Sequence, residues 1–238
     1  MKVIKLDEKQ RVTFGFLNEQ MKYETNYFTV KTLPGLQRRI RAIEDNFYIE
    51  NGWVYPPYEK DKAGRPQKPL IWYELCPSHF IDVKYSIKEN SEDFATFAIL
   101  FLGFLKGTQL LPSSHGRFYR TPFGKEKLTG FYILDEDMCE IMDIAAEFYF
   151  SNYESGISQQ YRAAIFWFLF GQSYNHLFER FDAQYKVLDG VYAISKKRFN
   201  VAGNITHAKR IQYLCEHFHI SIPDWGKCNA EGKSKVSR

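Results

Sequence analysis

The stretch Ser91-Glu92-Asp93-Phe94-Ala95-Thr96-Phe97-Ala98-Ile99-Leu100-Phe101-Leu102-Gly103-Phe104-Leu105 divides the chain into two kinds of sequence. Its apolar residues Phe94, Phe97, Ala98, Phe101, Leu102 and Leu105 recur at spacings of three and four, and Ser91 with two acids stands where a helix is capped. The spacing predicts one buried helix. The sequence before it has the pattern of strands, and the sequence after a polar interval has the pattern of helices.

Upstream, Val12-Thr13-Phe14-Gly15-Phe16 and Tyr27-Phe28-Thr29-Val30 alternate at period two, which suits half-buried strands because successive side chains point to opposite faces. Phe47-Tyr48-Ile49 and Trp53-Val54-Tyr55 flank Glu50-Asn51-Gly52. Asn-Gly predicts a tight hairpin, since both residues tolerate positive φ. Residues 56–69 carry four prolines and Gly64 and read as an exposed loop, after which Leu70 to Leu75 and Phe80 to Ile87 resume the strand pattern.

Downstream, Pro112 to Gly130 is polar and punctuated by glycine. Met138, Ile141, Met142, Ala145 and Phe148 then form a stripe on a helix over Asp135 to Tyr149. A second helix follows Ser155-Gly156 through Ile157, Tyr161, Ala164, Ile165 and Phe168. A third carries Phe178, Phe181, Tyr185, Leu188, Tyr192 and Ile194, and a fourth opens at Thr206 and runs through Ile211, Leu214 and Phe218. Four stripes with short connections predict a bundle, because each must be buried against its neighbours. The fold class is therefore α+β: an aromatic-rich β domain with one helix over residues 1–130, then a helical bundle with a basic tail over 131–238.

Hydrophobic residues at 45% and charged residues at 25% are globular usage, while 17% aromatics is high. No apolar run after Met1 reads as a signal peptide, and Phe94 to Leu105 falls short of the roughly 20 residues a bilayer requires. Cys76, Cys139, Cys215 and Cys228 lack the short spacings of zinc or redox sites. The reading is a cytoplasmic protein with reduced thiols, no membrane contact, no metal site and no cofactor. A net charge of +4 permits nucleic-acid contact without requiring it. Basic residues gather at Arg38, Arg39 and Arg41, at His115 to Lys127, and at Lys227, Lys233, Lys235 and Arg238. Solvated surface accounts for such clusters as readily as ligand contact does.

No P-loop, dinucleotide fingerprint, nucleophile elbow or zincin helix is present in the sequence. The loop His115-Gly116-Arg117-Phe118-Tyr119-Arg120-Thr121-Pro122-Phe123-Gly124-Lys125-Glu126-Lys127 interleaves cations with aromatic rings. Cations can hold phosphates and rings can stack bases, so His115, Arg117, Tyr119, Arg120, Lys125 and Lys127 are candidate nucleic-acid contacts. A surface loop pinned by Phe118 and Phe123 is the plainer alternative.

The segment His207 to Trp225, with Phe170-Gly171-Gln172-Ser173-Tyr174, the Phe178 to Ile194 helix, and Arg120-Thr121-Pro122-Phe123 ahead of Gly130-Phe131, resembles the late part of the HEPN domain family, in particular ApeA-like bacterial proteins. The resemblance covers roughly residues 115 to 238. It implies a helical bundle that dimerises and an RNA-associated role in bacterial anti-phage or toxin-type defence, through metal-independent ribonuclease chemistry. The family's signature pairs an arginine, usually followed by a polar residue, with a histidine four to six residues on; the resemblance places it after Lys233-Ser234-Lys235-Val236-Ser237-Arg238, which implies a truncated or inactive ribonuclease. Within the chain, Arg210 and His217 have six residues between them, and Ile211 follows the arginine. The arginine could stabilise phosphorane charge and the histidine move the 2′-OH proton, so this pair is the candidate catalytic site. Two other readings stay open: a non-enzymatic interaction or sensor module whose partner is another protein, and an enzyme with its pocket between the halves.

Overall fold

The computed structural model describes residues 10–55, 62–63, 76–84, 91–114, 120–123, 128–129, 133–174, 176–199 and 207–221. It is an α+β protein: antiparallel sheets come first, and a helical region follows. The larger sheet has the order β2-β3-β6-β1-β7, from β1 (Gln10–Gly15), β2 (Lys22–Glu24), β3 (Phe28–Thr32), β6 (His79–Val83) and β7 (Leu111–Pro112). Arg11 stands opposite Asp82 in the β1/β6 register, and the two side chains form paired hydrogen bonds of 2.7 and 2.8 Å. The smaller sheet, β4-β5-β8, joins the hairpin of β4 (Tyr48–Glu50) and β5 (Trp53–Tyr55) to β8 (Thr121–Pro122). Asn51 and Gly52 have φ of 48° and 76°, the left-handed pair that an Asn-Gly turn supplies.

Two features depart from the alternation pattern. Helix α1 (Leu36–Asn46) lies between β3 and β4, with Leu36 and Ile43 on its buried side; their spacing of seven is a helical repeat within a region otherwise read as strands. The polar interval also contributes β7 and β8, two-residue strands that each end in proline at a sheet edge, where a missing N–H leaves no gap in the ladder. Leu70 to Leu75 lies outside the described residues.

Helix α2 (Ser91–Lys106) is the centre of the molecule. Phe94, Ala95, Phe97, Ala98, Ile99, Leu100, Leu102 and Leu105 are all buried, so apolar side chains leave in every direction. The helix packs on β1, β6 and β7, and also on α3 (Met138–Ser151) and α4 (Ile157–Ser173). Phe94 touches Phe28 of the sheet and Tyr149 and Phe150 of α3, with ring centroids 5.9, 5.5 and 4.6 Å away. One hydrophobic core holds buried residues from Phe14 of the sheet to Leu169 of α4. Gly107, at φ 68°, ends α2 by folding the chain back, and Thr108 N donates to Gly103 O at 2.8 Å.

Polar ties fasten the same junction. Lys106 Nζ meets Glu19 Oε1 at 3.1 Å and Asp135 Oδ1 at 3.0 Å, while Tyr23 Oη donates to Asp135 at 2.6 Å. Burial pulls the Lys106 ammonium down, but its hydrogen bonds with Tyr23, Asp135 and Glu19 outweigh that and hold it above its ordinary value. Burial, reinforced by the bond to Asp135, pushes Tyr23 up to about 12. Asp143 accepts from both the backbone and the side chain of Asn26 at 2.8 Å, and Arg162 reaches Asp93 at 2.7 Å.

His79 is fully buried beside this network, with Nδ1 2.8 Å from Ser78 Oγ and Nε2 2.9 Å from Thr32 Oγ1 and 3.1 Å from Glu19 O. The carbonyl of Glu19 requires a donor, which assigns the proton to Nε2 and leaves Nδ1 to accept from Ser78.

Helices α4 and α5 (Leu177–Phe199) pack closely and antiparallel, Gly171 against Ala183 and Ala164 against Gly190. A Cβ on Gly171 would sit 2.7 Å from that of Ala183, whereas one on Gly190 would sit 3.4 Å from that of Ala164.

Burial, opposed by the bond to Glu19 O and aided by the Lys106 charge, pulls His79 from 6.5 to about 4. The unfolded chain thus binds this proton more tightly, and about 3 kcal/mol of stability is lost as pH falls from 6.5 toward 4. Thermal melts should decline over that window, and His79→Gln should flatten the decline. Gly171→Ala should destabilise by about 1 to 3 kcal/mol through overpacking, while Gly190→Ala should be neutral or gain up to about 1 kcal/mol from helix propensity; urea titration separates them.

Candidate functional site

Helix α6 (His207–His217) lies along the second half of α5 and carries both sequence-nominated catalytic residues. Arg210 Nη1 donates to Asp189 Oδ1 at 2.7 Å, and its guanidinium carbon stands 5.0 Å from the centre of the Tyr192 ring. Tyr213 meets Tyr192 edge-on at 5.9 Å. His217 lies among rings: Phe199 at 4.4 Å, Phe218 at 4.9 Å and a stacked Tyr213 at 5.7 Å. These contacts advance from Asp189 to Phe199 as α6 advances from Arg210 to His217, so the two helices run in the same sense.

This geometry holds Arg210 and His217 apart. Seven residues of α-helix separate their Cα atoms by about 10 Å along the axis, and each side chain is drawn toward a different turn of α5. The arginine has a carboxylate beside it and the histidine an aromatic setting. The arrangement fastens α6 to α5 through one ion pair and a ladder of rings.

Of the six loop residues nominated for nucleic acid, His115, Arg117, Tyr119, Lys125 and Lys127 lie outside the described residues. Arg120 is described and half-buried. Its guanidinium carbon lies 3.9 Å from the centre of the Trp53 ring, Nε donates to Ser173 O at 3.0 Å, and Nη1 donates to Tyr55 Oη at 3.2 Å. A cation at the C-terminal carbonyls of α4 also suits that helix's dipole. Arg120 joins the smaller sheet to α4.

Helix α5 does not bury the first part of the stripe that its spacing predicts. Phe178, Phe181, Tyr185 and Leu188 form the expected stripe, but Phe178 is 86% exposed and Phe181 69%, with Leu177 beside them at 77%. The face that packs on α4 carries Ala183 and Gly190, because small residues let the two backbones approach closely. A helical turn advances about 100° per residue, so the side opposite Ala183 is the one bearing Phe178, Phe181 and Tyr185. Large side chains cannot fit where the helices approach most closely, and the pairing of Gly171 and Ala164 with Ala183 and Gly190 was the available signal.

Among the described residues, no helix is long and apolar enough to cross a membrane, and no group of three His, Cys, Asp or Glu is placed to hold a metal ion. Cys76, Cys139 and Cys215 are free thiols.

Arg210→Ala should lower stability by up to about 1 kcal/mol, since its ion pair is partly exposed, and Arg210→Lys should recover only part of that loss because lysine lacks the flat guanidinium over Tyr192. Chemical denaturation measures the change. The purified parent should cleave no RNA with or without metal; cleavage abolished by His217→Ala would overturn this structural assignment of the pair. Compared with protein-family models, curated proteins and solved structures, the chain matches none.

Proposed function

We propose that the chain is a non-enzymatic protein-interaction module whose α5 face receives a second copy of itself. The observation that carries this reading is the exposed row Leu177, Phe178, Phe181 and Leu188. At roughly 200 Å² per large side chain, the row presents on the order of 500 Å² of apolar surface, which is substantial for a monomer. Two such faces together would bury about 1,000 Å², the lower end of specific interfaces, so association should be weak and in the micromolar range.

The HEPN-like reading, an RNA-associated defence protein, draws its support from the resemblance over residues 115–238 and from the basic loop. Of that loop's nominated contacts, the described one, Arg120, is engaged within the fold. The interaction reading has the more direct support from geometry.

Sedimentation velocity over a range of concentrations should give a reversible monomer–dimer equilibrium. Phe178→Ser combined with Phe181→Ser should shift it to monomer with the circular dichroism spectrum unchanged. A parent that stays monomeric at the highest concentration, or a double variant that dimerises equally, would remove self-association through α5.

A further inference from the structure

We propose that a cavity beside α1 binds a small organic anion with an apolar body, such as an aryl carboxylate or sulfonate. The cavity measures about 450 Å³, and Pro34, Gly35, Arg38, Arg39, Ala42 and Cys76 line it among the described residues. That volume falls within the roughly 300 to 1,000 Å³ typical of small-molecule sites. Arg38 and Arg39 are both among its lining residues, and the neighbouring surface of Pro34, Ala42 and Cys76 is apolar. Arg39 is held in place, its Nη1 donating to Pro77 O at 2.9 Å. Arg38 is exposed at the same wall. Guanidinium groups match carboxylate, sulfonate and phosphate oxygens through paired N–H donors, which sets the ligand's sign and its polar end.

The order of charge on α1 supplies an independent observation. Arg38 and Arg39 fall in its first half and Arg41 at its midpoint, while Glu44 and Asp45 fall in its last turn. This order opposes the helix dipole, which favours acids at the start and cations at the end. The helix dipole therefore gives no account of Arg38, the exposed arginine at this wall, and a bound anion facing the cavity does. Local rules are most often broken where a site has work other than stability.

Cys76 lines the cavity and reports its occupancy, with Cys139 and Cys215 as controls elsewhere in the fold. The probe is 8-anilinonaphthalene-1-sulfonate, an apolar body with one sulfonate, added to the full chain. Iodoacetamide modification of each cysteine is followed by peptide mass spectrometry. The probe should slow modification of Cys76 and leave Cys139 and Cys215 unchanged. Arg38→Ala should raise the probe concentration needed for protection roughly tenfold, the loss of one charge-assisted contact, and Arg38→Lys should restore part of it. The double variant Phe178→Ser with Phe181→Ser should protect Cys76 as the parent does, which separates this site from the α5 face. Cys76 reacting at the same rate with and without probe, or protection unchanged in a folded Arg38→Ala variant, would overturn the proposal.

Discussion

A helix whose side chains are apolar on every side has to be enclosed on every side, and α2 imposes that constraint on the whole molecule. One sheet can cover only part of such a cylinder, and α3 with α4 covers more. The strands and the helical region are therefore not independent layers that happen to touch. Phe94 makes ring contacts with the sheet and with α3 at once, so neither side can withdraw without exposing it. The polar ties through Lys106, Asn26 and Arg162 lie at the rim of the same enclosure, where charges can be paired while still reaching water.

The second constraint is the close approach of α4 and α5. Glycine against alanine brings the backbones together and leaves no room for phenylalanine between them. The bulky side chains of α5 are consequently turned outward, and its apolar surface becomes an external property. Packing that is tight on one side of a helix thus fixes what the other side presents.

Much of the fold could be read from residues alone. The Asn51-Gly52 hairpin, the spacing in Ser91 to Leu105, and the Gly156 start of α4 all arise from local chemistry, which sequence carries directly. Helix α1 was harder, since its buried residues Leu36 and Ile43 are few and the surrounding chain alternates as strands do. The burial of Phe178 and Phe181 could not be settled by periodicity, because a stripe locates a face without saying whether anything lies against it. Arg210 and His217 illustrate the same gap: a spacing puts two side chains on one face of α6, yet Asp189 and Phe199 decide where each is held. The cavity beside α1 depends on Cys76 arriving next to Arg39 from far along the chain, and no local pattern encodes that meeting.

The central core reaches as far as Leu169, whereas the buried residues of α5, such as Ala183 and Tyr192, lie outside it. Helices α5 and α6 are therefore a satellite, attached through α4 and able to open without disturbing the interior around α2. Backbone amides there should exchange with solvent through a smaller opening than those of β1 or α2. An occupant of the outer side of α5 that bound only the closed form would oppose that opening and tighten α6 along with it. Such an encounter at the surface of the arm would slow the breathing of residues that the visitor never touches.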